Sequence, residues 1–105
     1  GFFATNNFLA LGALRAIETS GRSVPKDISL VAFDDVIPML AKYAFLTVVS
    51  QPAYQMGQRA VELLLERLRS EEQPPFREVI LPTELIIRGS VGPAPRTSHA
   101  PTAAD

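Results

Sequence analysis

Two adjacent carboxylates, Asp34 and Asp35, end the largely apolar run Ile28-Ser29-Leu30-Val31-Ala32-Phe33. Neighbouring acids at such a place support several chemistries. One carboxylate can cap the turn while the other is solvated. Together they can hold Mg²⁺ in a phosphoacceptor pocket. One can serve as the nucleophile of a hydrolase. A carboxylate can also accept hydrogen bonds from neighbouring hydroxyls of a polyol. Phosphoacceptor pockets gather further carboxylates and a lysine on adjoining strand ends. Here Asp27 stands at the wrong end of the run, and Lys42 is a single candidate cation. A nucleophilic Asp usually has a second acid two residues on, and Ile37 occupies that place after Asp35. Polyol recognition fits best once Asn6 is included, because an amide both donates and accepts.

The elements that must position these groups follow from patterning. A strand buried on both faces reads as a near-continuous apolar run and belongs to a parallel sheet. Ligands of open α/β sheets bind beyond the carboxyl ends of the strands. Phe2-Phe3-Ala4-Thr5 reads as a short buried strand. Asn6-Asn7 then offers a helix cap. The spacing predicts a helix from Phe8 to about Ser20, stopped by Gly21. Leu9, Ala10, Ala13, Leu14 and Ile17 share its apolar face, with Leu11 to one side. Strand, helix and strand within about 33 residues make a βαβ unit with a right-handed crossover. Both strands then point the same way, and Asn6, Asn7, Asp34 and Asp35 share one rim.

Composition bounds the rest. The chain has 105 residues, 47% of them hydrophobic, enough for one small domain. Ten basic and eleven acidic residues give a formal charge of −1, without the basic surplus of a nucleic-acid surface. There is no cysteine, which excludes disulfides and thiolate metal sites. Apolar runs fall far short of the roughly 18–20 residues that span a membrane. The opening Gly1-Phe2-Phe3 lies inside an expected strand and suggests a piece of a longer protein. The single histidine, His99, lies in a Pro-, Ala-, Ser- and Thr-rich stretch, which argues against a histidine-based triad. Neither Ser50 nor Ser90 has a glycine-flanked elbow, and no glycine-rich phosphate loop occurs.

Downstream, Met39-Leu40-Ala41 fits a short helical turn, and Leu46-Thr47-Val48-Val49-Ser50 reads as a strand or extended crossover. Pro52 suits the first turn of a second helix, Ala53 to about Arg69. Its stripe is Ala53, Gly57, Ala60, Val61, Leu64 and Leu68, with Gln55, Arg59, Glu62, Glu66 and Arg69 facing water. Arg77 to Leu81 reads as a strand broken at Pro82, and Glu84 to Gly89 as a last strand. Arg88 can pair with a carboxylate or reach the sheet edge on its long stem. Residues 1–92 form the expected domain, and 93–105 a disordered tail.

The order of these pieces resembles the LacI/GalR family of bacterial transcriptional regulators. Thr5-Asn6-Asn7-Phe8-Leu9-Ala10-Leu11-Gly12 is similar to its ND-x-x-A-L-G segment. Val24 to Asp35 is similar to VP-x-D-(I/V)-S-(V/L)-V-G-(F/Y)-DD, and Leu46 to Pro52 to an LTT-V-x-QP crossover. Met56-Gly57 with Ala60, and Leu81 to Ser90, match M-G-x-x-A and L-P-T-x-L-(I/V)-x-R-x-S. Five pieces in order are specific and cover Gly1 to Ser90. The resemblance implies the carboxyl-terminal part of an effector-binding domain: an α/β fragment of a two-lobe, periplasmic-binding-protein-like (type I) fold, with parallel sheets flanked by helices.

The resemblance further implies a small-molecule effector, a carbohydrate above all, held between lobes by Asn6 and Asp34. Gln51 lies where the chain crosses between lobes and lines the cleft. Asn7 and Asp35 become turn or interlobe supports, and Leu11 a contact within a homodimer. Operator DNA would be bound by a helix-turn-helix outside this sequence, in a cytoplasmic, non-enzymatic protein without cofactor, metal or membrane partner. The second helix would pack on the other lobe. A sugar-delivering solute-binding protein is the first alternative, and a Mg²⁺-dependent phosphoacceptor domain the second. Three departures stand out: Asn7 for Asp, Ala32 for Gly and Val48 for Thr.

Overall fold

A computed structural model describes residues 1–35 and 44–94. The expected turn at Met39-Leu40-Ala41, the Lys42 candidate, and the expected tail from residue 95 onward lie outside the described residues.

The described elements run β1 (Phe2–Ala4), α1 (Asn7–Thr19), β2 (Leu30–Phe33), β3 (Thr47–Ser50), α2 (Ala53–Arg69) and β4 (Glu84–Ile86). They form one sheet in the order β1-β2-β3-β4. β1, β2 and β3 are parallel, and β4 joins β3 antiparallel. The mixed α/β class of the sequence reading holds, with β4 as an antiparallel edge.

α1 begins where the side chain of Asn6 accepts the N–H of Leu9 at 2.8 Å. Asn7 is the first helical residue, so Asn6 alone supplies the cap. The helix ends where Gly21 turns to φ 76°, a left-handed conformation that glycine adopts without Cβ strain. The Gly21 N–H then reaches Glu18 O, and that of Arg22 reaches Ile17 O. These two bonds make a Schellman closure. Ala10, Leu14 and Ile17 are buried, the first two in one core with Ala4, Leu30, Ala32, Leu46 and Val48. The methyl of Ala32 is wholly enclosed there, and Val48 fills the place beside it in the β2–β3 register.

Several expected burials do not occur. Phe2 and Phe3 are 59% and 57% exposed, because β1 has β2 as its one partner among the described residues. Leu9 projects from the first turn of α1 and is also exposed. In β2, Leu30 and Ala32 are buried while Val31 and Phe33 are half-buried, so a single face is sealed. Residues 77–81 form no strand; Val79 and Ile80 are exposed, with no adjoining ladder among the described residues to pair their backbone. β4 stops at Ile86, three residues short of Gly89, because the chain then turns inward at Ser90.

Ser90 has no signal in the sequence beyond its place after Arg88, yet it is fully buried. Its hydroxyl donates to Leu30 O at 2.6 Å and accepts the Thr47 N–H at 2.7 Å. Its own carbonyl accepts the Leu30 N–H. One side chain thus ties the starts of β2 and β3 where the ladder leaves their backbone groups unpaired.

α2 has the expected extent, yet none of its residues is buried. Val61, Leu64 and Leu68 of its stripe are exposed, as are Tyr54 and Leu65. Arg59 and Glu62 pair one turn apart on its surface. Such exposed pairs contribute little, on the order of a few tenths of a kcal/mol.

Candidate functional site

The register of β1 and β2 pairs Ala4 with Ala32. Asn6 and Asp34 each lie two residues beyond that pair, so the strands deliver both to the carboxyl rim. β3 is in register with β2 from Val31↔Thr47 to Phe33↔Val49, and Gln51 follows it onto the same rim.

Asp34 adopts φ 71°, the left-handed region that a non-glycine residue enters at a cost on the order of 1–2 kcal/mol. Its surroundings hold it there. Its N–H donates to Val49 O at 2.9 Å. Its Oδ1 accepts a short hydrogen bond from Gln51 Nε2. The carboxylate is half-buried, so it stays within reach of water or a ligand. Gln51 Nε2 is therefore aimed at Asp34, which leaves the Gln51 carbonyl as that residue's acceptor. Asn6 spends its side-chain oxygen on the helix cap, so its amide NH₂ is the group it can offer a ligand. The rim can thus accept hydrogen bonds at Asp34 and Gln51 and donate one at Asn6. A ligand bearing several hydroxyls satisfies both demands, because each hydroxyl donates and accepts.

Asp35 takes a different part. Arg88 grips its carboxylate with two parallel bonds, Nη1 to Oδ1 and Nη2 to Oδ2, each 2.7 Å. Arg88 Nη1 also reaches Leu46 O at 3.2 Å. Hydrogen bonding to Asp35 holds the guanidinium above its ordinary pKa, with burial opposing and the charge of Asp35 assisting. Of the two alternatives open to Arg88, the carboxylate pair is the one adopted. The backbone carbonyl of Asp35 accepts Asn7 Nδ2 at 3.3 Å. The side chain of Asn7 thus meets the backbone of Asp35 across the turn. Among the described residues no group of three or more His, Cys, Asp or Glu side chains is placed to hold a metal ion.

A shallow groove beside the rim is lined by Ser50, Gln51, Pro52, Pro82 and Glu84. A larger one, between α2 and the chain after it, is lined by Leu63, Glu66, Arg67, Phe76 and Arg77 and shares no residue with the rim. Leu11 is half-buried on the flank of α1 and is not drawn into the rim.

Residues 1–91 match the family described as periplasmic binding protein-like domain. The chain belongs to that family. Its relatives are LacI-family regulators. It is 41% identical over 90 residues to a probable opine utilization operon repressor of Rhizobium rhizogenes, covering 86% of this chain and 46% of that protein. It is 42% identical over 90 residues to the transcriptional regulator MalR of Streptomyces coelicolor, covering 86% and 26%. A LacI-family regulator from Enterococcus faecium with bound ribose superposes with a TM-score of 0.75 at 34% identity, over 88% of this chain and 34% of that one. A CelR–cellobiose complex gives 0.72 at 38% identity, over 84% and 27%. The chain spans between about a quarter and a half of the length of these relatives. The resemblance read from the five motifs is therefore correct at the level of family and fold. No helix among the described residues is long and apolar enough to cross a membrane.

Proposed function

We propose that this chain is part of the effector-binding domain of a ligand-responsive transcriptional regulator, and that its effector is a sugar. The observation that carries the reading is the rim: Asp34, held in a left-handed turn and bonded to Gln51, with Asn6 delivered beside it by a parallel strand. Asn6, Asp34 and Gln51 are the proposed ligand contacts. Two relatives with ribose and cellobiose bound support the sugar class.

The mechanism is a population shift. The sugar bridges this rim and a second lobe, favours one arrangement of the two, and so alters operator binding by a helix-turn-helix elsewhere in the protein. The working unit is a cytoplasmic homodimer, with Leu11 at its contact, and it catalyses no reaction. The exposed apolar stripe of α2 supports the two-lobe reading, because a face of that kind needs covering.

The test is calorimetric titration of the complete gene product with a panel of mono- and disaccharides that includes ribose and cellobiose. At least one sugar should bind, and Asp34→Ala should weaken it about 10- to 100-fold, the worth of one or two hydrogen bonds to a charged group. Operator affinity without sugar should stay unchanged. Sugar affinity equal to wild type in Asp34→Ala would remove Asp34 from the site.

A further inference from the structure

We infer that Asn7 and Arg88 are positioning residues that clamp Asp35, one by its carbonyl and the other by its carboxylate, and so fix the turn that presents Asp34. This rests on the reading of Asp34 as a ligand contact.

The argument begins with the backbone. A left-handed aspartate persists only where its neighbours over-determine it. On its amino side Asp34 is fixed by β2 and by its N–H bond to Val49 O. On its carboxyl side the next residue, Asp35, is held from two distant parts of the chain. Asn7 comes from the first turn of α1, 28 residues earlier. Arg88 comes from just beyond β4, 53 residues later. Arg88 further reaches Leu46 O at the start of β3, so the clamp is anchored to the sheet itself. Gln51 binds the Asp34 carboxylate, whereas the bonds of Asn7 and Arg88 go to Asp35. They act on Asp34 through Asp35.

Residue 7 gives the inference its chain-specific edge. A carboxylate here would have no proton to donate at neutral pH, and it would set a negative charge against the Asp35 carbonyl. It would gain instead from the positive end of the α1 dipole. The chain has Asn, which forgoes that gain and makes the tertiary bond. An Asn7→Asp change should therefore loosen the turn while leaving α1 as stable or more so. Arg88 is as specific, because a lysine keeps the charge but cannot make two parallel bonds to one carboxylate.

The experiment is residue-resolved amide hydrogen exchange on the complete gene product. In Asn7→Asp and in Arg88→Met, exchange at the Asp34 amide should rise about tenfold, as for the loss of one hydrogen bond. Exchange at Ala32 and Val48 should stay at the wild-type rate. Arg88→Lys should fall between wild type and Arg88→Met. Equal acceleration at Asp34, Ala32 and Val48 would reduce both residues to general stability and overturn the inference, as would an unchanged Asp34. Should Arg88→Met fail to fold, Asn7→Asp carries the test alone. Titration of the same proteins with ribose and cellobiose keeps the two readings apart. Exchange reads the clamp with no sugar present, so failure of the sugar assignment leaves the clamp standing, and the converse also holds.

Discussion

The rim at Asp34 and the helix α2 are both placed by β3, yet they are held in opposite ways. At the rim, polar groups from α1, β2, the end of β3 and the chain after β4 meet within a few residues. Nearly every one already has a partner. In α2, a long and strongly amphipathic helix has no buried residue at all. The difference separates two ways of using a sequence. Polar groups that must be aimed are locked by neighbours from the same chain. An apolar stripe needs only cover, and its cover can come from elsewhere.

Truncation of apolar side chains breaks this comparison most directly. In the 105-residue chain, Leu14→Ala should lower unfolding free energy by about 3 kcal/mol, since Leu14 is 2% exposed in the core. Leu64→Ala in α2, where Leu64 is 55% exposed, should change it by less than about 0.5 kcal/mol. Urea midpoints measure both. Comparable losses would mean that α2 is packed after all. Next in size is Ser90→Ala, which strands the Thr47 N–H and removes the bond to Leu30 O. A loss of about 2 kcal/mol in the same assay is expected, and Ser90→Thr should not restore it, because a fully enclosed site has no room for the added methyl. The smallest effect lies at the loop before β2. The Ser23 N–H and hydroxyl both bond the Asp27 carboxylate and hold its pKa below the ordinary 3.8, with Lys26 and Arg22 assisting. A depressed carboxylate contributes fully above its unfolded value, and the contribution is lost as pH falls through the folded one. Exchange at the Ser23 amide should therefore quicken only in strong acid, with the rim unchanged until lower stability sets in.

How much of this was legible in the sequence follows from what each residue needs. The rim was readable because a parallel βαβ unit leaves little choice: Asn6 and Asp34 follow paired strands and must emerge together. The helices were readable from period and stops, down to Gly21. Local strings carry no record of distant partners, so the roles within the rim were harder. Which asparagine caps and which one bonds Asp35 depends on a neighbour 28 residues away. Arg88 suits two roles by sequence, and the Asp35 carboxylate beside it decides between them. Ser90 has no nucleophile motif, and its part is to satisfy strand backbone. The exposed apolar residues Phe2, Phe3 and Leu9, and those of the strand expected at 77–81, share one cause. An apolar pattern records that a residue is suited to burial, and it does not say which chain supplies the other side.

Ser90 also sets the order in which the molecule can be finished on the ribosome. β2 and β3 precede α2 and β4 in the chain, and the hydroxyl that joins their leading ends follows all four. At about 5–20 residues per second, the roughly 40 residues from β3 to Ser90 take several seconds to appear. Until Ser90 itself has cleared the ribosome, the Thr47 N–H and the Leu30 carbonyl lack the hydroxyl that joins them in the folded chain.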